Sequence, residues 1–170
     1  MASCNTITTI TKGCDNNIGG IQTVFINDQA EVTAVTVDDA TWEVTAITAS
    51  APFVPFEFKR NTGMYTEDQA NDLINGSSFV TATITLMFHR REAAKSRSIK
   101  ILGEGQRDLA VIVLDANGKY WYFPTAQVTA VAEGSGTAKA DGSKYSITMV
   151  AENETLAYEV DPTIIAGLLV

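Results

Sequence analysis

The 170-residue sequence predicts a mainly β protein, a β-sandwich or barrel with one short flanking α-helix. Three observations point there. Apolar and polar residues alternate with period two in several stretches, the spacing that sends successive side chains to opposite faces of a strand. Thr, Val and Ile recur where a helical protein would carry Leu, Glu and Lys. Convincing helical spacing occurs once, in "HRREAAKSRSIK", His89 to Lys100. The length suits a single β-rich domain over residues 1–170, and 45% hydrophobic residues is enough to close a core.

Taken in order, Ile21–Ile26 reads as a first strand. "EVTAVTVDDATWEVTAIT" reads as a hairpin of β-branched residues turning at Asp38 and Asp39. In its second arm Thr41, Glu43 and Thr45 alternate with Trp42, Val44 and Ala46, which can face a core. Phe53–Phe58 is the next strand candidate. Residues 59–77 then read as a long loop, exceeding the roughly 12–15 residues of a passive connection. Within it, "TEDQANDLING" has capping-box spacing at Thr66 and Gln69, and Gly76 follows the apolar pair Leu73 and Ile74, so a helical turn is expected.

"SSFVTATITLMF" is the clearest strand, with Val80, Ala82, Ile84, Leu86 and Phe88 facing a core and Phe79, Thr81, Thr83, Thr85 and Met87 facing away. The helix follows at about residues 91–102. Ala94, Ser98, Ile101 and Leu102 share one face, Arg91, Lys95 and Lys100 lie elsewhere, and Gly103 suits the stop. "RDLAVIVLDANGKYWYFP" reads as a hairpin in which Asn117-Gly118 supplies the positive φ angles of a tight primed turn. Tyr120 and Tyr122 alternate there with Trp121 and Phe123, as expected of a strand buried on both sides. Ala126–Ala132, Tyr145–Ala151 and Leu156–Val160 complete the strands, with a small-residue loop at Ala132–Lys144. The apolar C-terminal tail "DPTIIAGLLV" has Asp161 placed to cap a short helix and Pro162 at its first position.

Charge is divided unevenly. The formal net charge is −8, yet residues 90–107 hold six of the twelve Lys and Arg against two of the twenty Asp and Glu, a local +4 that leaves −12 elsewhere. Those six are Arg90, Arg91, Lys95, Arg97, Lys100 and Arg107. One short basic island is not the broad basic surface that gripping nucleic acid requires, although DNA can pass without being held. No apolar run approaches the roughly 18 residues of a membrane helix, and "MASCNTITTITKG" lacks the basic and apolar regions of a signal peptide, so no membrane partner is expected.

Catalytic chemistry finds little support, and the expectation is that the protein is not an enzyme and takes no cofactor. The single histidine, His89, ends an alternating strand beside two arginines, the position of a strand-end residue facing solvent. Cys4 and Cys14 are ten apart, which does not match the paired ligands of structural zinc sites even with Asp15 and His89 added. A Cys4–Cys14 bridge would close only a small loop, and free thiols are expected. "DANGK" lacks the later glutamate of a calcium loop, and the glycines around Glu104 and Ser135 lack the Lys-Ser/Thr tail of a phosphate loop.

Assembly is left. One basic helix, an acidic remainder and a long loop fit one copy against the next, head to tail. Arg91, Lys95 and Lys100 of the helix, with Met64, Tyr65, Leu73 and Ile74 of the loop, are the expected intersubunit contacts.

The order of elements resembles the major tail tube proteins of tailed bacteriophages over nearly the whole chain: strands and an early hairpin, a long loop, a strand, one mid-chain helix, a hairpin, then a glycine-rich loop before the last strands. "GSGTAKADGSKYSITMVAENETLAYEV", Gly134 to Val160, is the nearest sequence echo, and "CNTITTITKGCDNNIGGIQTVFIND", Cys4 to Asp28, is similar to virion proteins from phages of gut bacteria. The resemblance implies a tail-tube-like sandwich or barrel and a virion location in the tail, after assembly in the bacterial cytoplasm. It also implies six copies per ring, with rings stacked into a tube that contacts other tail proteins and passes DNA without tight binding. An acidic lumen keeps DNA from sticking, and Asp38, Asp39 and Glu43 are the expected channel-lining residues. Neck, ring or capsid-decoration proteins share this composition, and a non-assembling β-domain of a fibre or adhesin is the alternative of a different class.

Overall fold

A computed structural model describes residues 7–104 and 106–169. In chain order the elements are β1 (Ile21–Asp28), a 3-10 turn (Gln29–Glu31), β2 (Val32–Val37), β3 (Glu43–Ala49), β4 (Val54–Glu57), β5 (Gly63–Asp72), β6 (Ser77–His89), α1 (Ala93–Gly103), β7 (Leu109–Asp115), β8 (Tyr120–Gly134), β9 (Lys144–Asn153), β10 (Tyr158–Val160) and α2 (Pro162–Leu168). This is the predicted mainly β fold with a flanking helix, and the sheet curls into a half-barrel.

The long strand β8 organises the sheet. Its first half pairs with β7 and β10, and its second half, from Ala126, pairs with β9, which continues through β6 to β5. On the other side the order runs β8-β7-β1-β4, while β10 leads through a parallel pairing to β3 and then β2. The two ends of the curl approach where β5 begins beside β1. A Cβ on Gly63 would lie 2.7 Å from the Phe58 ring and 3.3 Å from the Ile21 Cβ, so a side chain there would have to push the Phe58 ring aside.

Alternation along the strands builds two cores. Inside the curl lie Ala82, Ile84, Leu86 and Phe88 of β6, Tyr145, Ile147 and Met149 of β9, Val111 and Val113 of β7 and Phe123 of β8, closed by Ile99 of α1. On the opposite face Phe25, Ala110, Ile112, Tyr122, Val44 and Val160 are covered by Phe53 and by Ile165 of α2. Strand β7 and the first part of β8, as far as Ala126, are therefore packed on both sides, the arrangement expected for Tyr120–Phe123, with Tyr122 and Phe123 entering different cores. Burying each Val, Leu, Ile, Phe or Met side chain among these contributes about 1.5–3 kcal/mol. Helix α2 starts as expected, the Asp161 carboxylate accepting from Thr163 N at 2.8 Å with Pro162 in the first turn.

Five expectations are corrected. Residues 59–77 are not a long loop, because Gly63–Asp72 pairs residue for residue with β6 from Leu86 to Ser77. An edge strand whose far side is solvent needs no apolar alternation, and "GMYTEDQAND" shows none. The capping box does not form either; Gln69 Nε2 donates to Ser78 Oγ at 3.1 Å across the hairpin. Helix α1 begins two residues later than expected and turns inward Ser96, Ile99 and Leu102, leaving Ala94, Ser98 and Ile101 exposed. The Ser96 hydroxyl lies 2.5 Å from the Tyr145 hydroxyl on β9, which also meets the Glu92 backbone, and this anchor fixes the helix rotation.

At the β7–β8 turn only Gly118 has positive φ, at 81°. The Asp115 carboxylate accepts from Asn117 N and Lys119 N at 2.8 and 2.9 Å, making a longer turn than the primed one. In β3, Val44 faces Val37 while Ala46 faces Thr36, so Thr45 is an extra, bulged residue. The alternation slips there: Val44 and Ile47 are buried, Ala46 is exposed, and Trp42 (φ 60°) lies half out against Tyr158.

Candidate assembly surfaces

The basic segment gathers at one end of β6. Helix α1 packs on the second half of β8, and part of its charge is already answered within the chain. Arg91 pairs with Glu133 of β8 at 2.9 Å and stands over the Tyr145 ring at 5.9 Å. Lys95 Nζ donates to the carbonyls of His89 and Arg90 at 3.0 and 3.3 Å and sits 3.7 Å from Glu92, which also holds Arg90. Lys100 and Arg97, both exposed, make no ion pair with a described residue. Arg97 was missing from the predicted contacts; only the rotation set by Ser96 shows that it points outward.

The other end of β6 is the tip of the β5–β6 hairpin. Leu73 and Ile74 are 93% and 95% exposed there. They are held in place by Asp72, whose carboxylate accepts from Ile74 N, Asn75 N and the Asn75 side chain. Those bonds keep the Asp72 carboxyl below its ordinary pKa. From residue 61 to 89 the chain has three acids, Glu67, Asp68 and Asp72, and no Lys or Arg. Of the predicted loop contacts, Met64 is exposed on the outer face of β5, whereas Tyr65 turns into its own core, edge-on to Phe123 at 5.6 Å. Burial pushes the Tyr65 hydroxyl up to about 12.

Asp38, Asp39 and Glu43 lie at the β2–β3 turn, on strands remote in sheet order from α1. Asp38 closes the turn by accepting from Ala40 N at 2.8 Å. Glu43 is half-buried opposite Glu159, which pairs with Lys119 at 2.5 Å. That contact, with a smaller push from Glu43, raises the Lys119 pKa.

A face that sequence reasoning did not single out lies on the outside of the half-barrel. Pairing aligns Met64, Thr85 and Thr148 in one row across β5, β6 and β9, Thr66, Thr83 and Val150 in the next, and Asp68, Thr81 and Glu152 in a third. The nine residues include two acids and no cation. The outward set of β6 was legible from alternation, but its neighbours needed the strand order.

Cys14 is exposed, and Cys4 lies outside the described residues, as does any bridge between them. Among the described residues no helix is long and apolar enough to cross a membrane. No protein-family model and no curated protein sequence matches the chain.

Proposed function

We propose that this chain is a structural virion protein whose copies assemble head to tail into rings stacked as a phage tail tube, with DNA passing through the channel. The observation that carries the reading is the division of charge along β6. Cations cluster around α1 at one end, and the hairpin tip at the other carries acids and no cation. Unlike surfaces at opposite ends of one rigid strand favour a heterologous contact, the kind that generates rings and stacks. The threonine-rich face, free of Lys and Arg, suits a wall past which DNA slides, and it is a broader candidate lining than the turn carrying Asp38, Asp39 and Glu43.

The test is negative-stain microscopy of the purified chain over a range of concentration and salt. Rings or tubes are expected, weakening as salt screens the complementary ends. Small particles of constant size under all conditions would reject self-assembly and leave a non-assembling fibre or adhesin domain.

A further inference from the structure

Beside α1 the half-barrel leaves an open groove of about 260 Å³. Val54, Phe56 and Phe88 form one side, and Ala94, Ser98 and Ile99 the other. Strand β4 bonds only to β1, so its second edge, bordering this groove, has no strand partner among the described residues. An uncovered edge beside exposed apolar surface invites an occupant.

The chain carries a matching shape. The β5–β6 tip presents Leu73 and Ile74, two adjacent aliphatic side chains almost wholly in solvent, with Phe79 on the same hairpin 47% exposed. Charge agrees on the helix side of the groove: Asp72 sits at the base of the tip and Asp68 earlier on β5, while Lys95 lines the groove and Arg97 lies on the outer side of the same helix; Glu57 lines the groove on its β4 side, and Lys100 faces away from it toward Glu133. The tip cannot reach its own groove. Phe88 of the groove and Ser77 at the tip sit at opposite ends of β6, and twelve extended residues span roughly 40 Å.

From this we infer that the β5–β6 tip of one copy seats Leu73 and Ile74 in the groove between β4 and α1 of a second copy. The contact deepens the self-assembly proposed above and rests on it. It covers the β4 edge, buries the two aliphatic side chains and brings Asp72 toward Lys95 and Arg97 of α1. Because the two surfaces differ, an open chain of copies keeps one free tip and one free groove at its ends until a ring closes.

Disulfide trapping tests this in a chain with Cys4 and Cys14 replaced by Ser. Two variants, Ile74→Cys and Ser98→Cys, are mixed and oxidised. The expected product is the mixed dimer, formed at least tenfold faster than either same-variant dimer, and a double variant should give a ladder of oligomers. Leu73→Asp with Ile74→Asp should raise the concentration at which assembly begins at least tenfold, while the monomer melts as before because both positions are exposed. If rings or tubes form but Ile74→Cys fails to trap Ser98→Cys, or traps itself instead, the seat is wrong and self-assembly stands. Trapping of Ser98→Cys by a cysteine at Ile10, on the exposed N-terminal arm, in preference to Ile74 would also overturn it. If nothing assembles and nothing is trapped, both readings fail together.

Discussion

The Tyr122 hydroxyl is buried against the second core with no partner among the described residues, and burial pushes its pKa up to about 12. An unpaired buried hydroxyl costs about 1–3 kcal/mol. Tyr122→Phe is therefore expected to stabilise the fold by about 1 kcal/mol, read as a higher urea midpoint with unchanged slope; a lower midpoint would show that the hydroxyl is satisfied. Glu67 gives a prediction of pH dependence. It points toward the core side of β5, and its carboxylate accepts from Ala157 N at 2.7 Å. Burial, outweighing that bond, raises its pKa above 4.5. The folded chain then holds this proton more tightly than the unfolded one, so Glu67 lowers stability as pH rises from about 4.5 through its raised value. Glu67→Gln should flatten the stability profile across that window, and an unchanged profile would refute the assignment. Neither environment was legible in the sequence, because Tyr122 sits in an ordinary alternating strand and Glu67 in a polar stretch with no visible partner.

At the level of elements, legibility followed the hydrophobic pattern. Strand β6 has five core residues in strict alternation and was read correctly, as were the pairing of β7 with β8 and the two-sided packing at the start of β8. Strand β5 escaped because its structure is imposed by β6 rather than by its own composition. That difference is measurable by amide exchange on the monomer. Amides of Gly63–Asp72 that bond to β6 should be protected, those on the free edge should exchange quickly, and at the tip Leu73 and Gly76 should exchange faster than Ile74 and Asn75, whose amides donate to Asp72; uniform fast exchange would restore the loop. The rotation of α1 was likewise invisible, since its determinant is the Tyr145 hydroxyl, contributed from another strand. Tyr145→Phe should speed exchange over Ala93–Ile99 more than over β9, and equal effects on both would deny the anchor.

For the whole molecule, the sequence disclosed that charge is divided but not how the division is laid out. The groove was hidden because residues 54–56 meet residues 88–99 only through the sheet order. Arg97→Glu with Lys100→Glu should suppress assembly and leave the melting temperature unchanged, since both side chains are exposed and make no ion pair with a described residue. Asp68→Lys with Asp72→Lys should also suppress assembly, here with a lower melting temperature because the bonds from Ile74 and Asn75 to Asp72 are lost, and mixing the two variants should restore association, whereas assembly of either alone at the native level would contradict the complementarity. Strand β6 has a mechanical consequence as well. Ten of its residues are laddered to β5 on one side and ten to β9 on the other. A pull between the tip and α1 therefore loads the rungs in shear, all together, instead of unzipping them singly. Copies joined at those two ends would behave as stiff struts in series, with compliance concentrated in the joints. Stretched in a force spectrometer, such a filament is expected to part between copies before any one of them unravels.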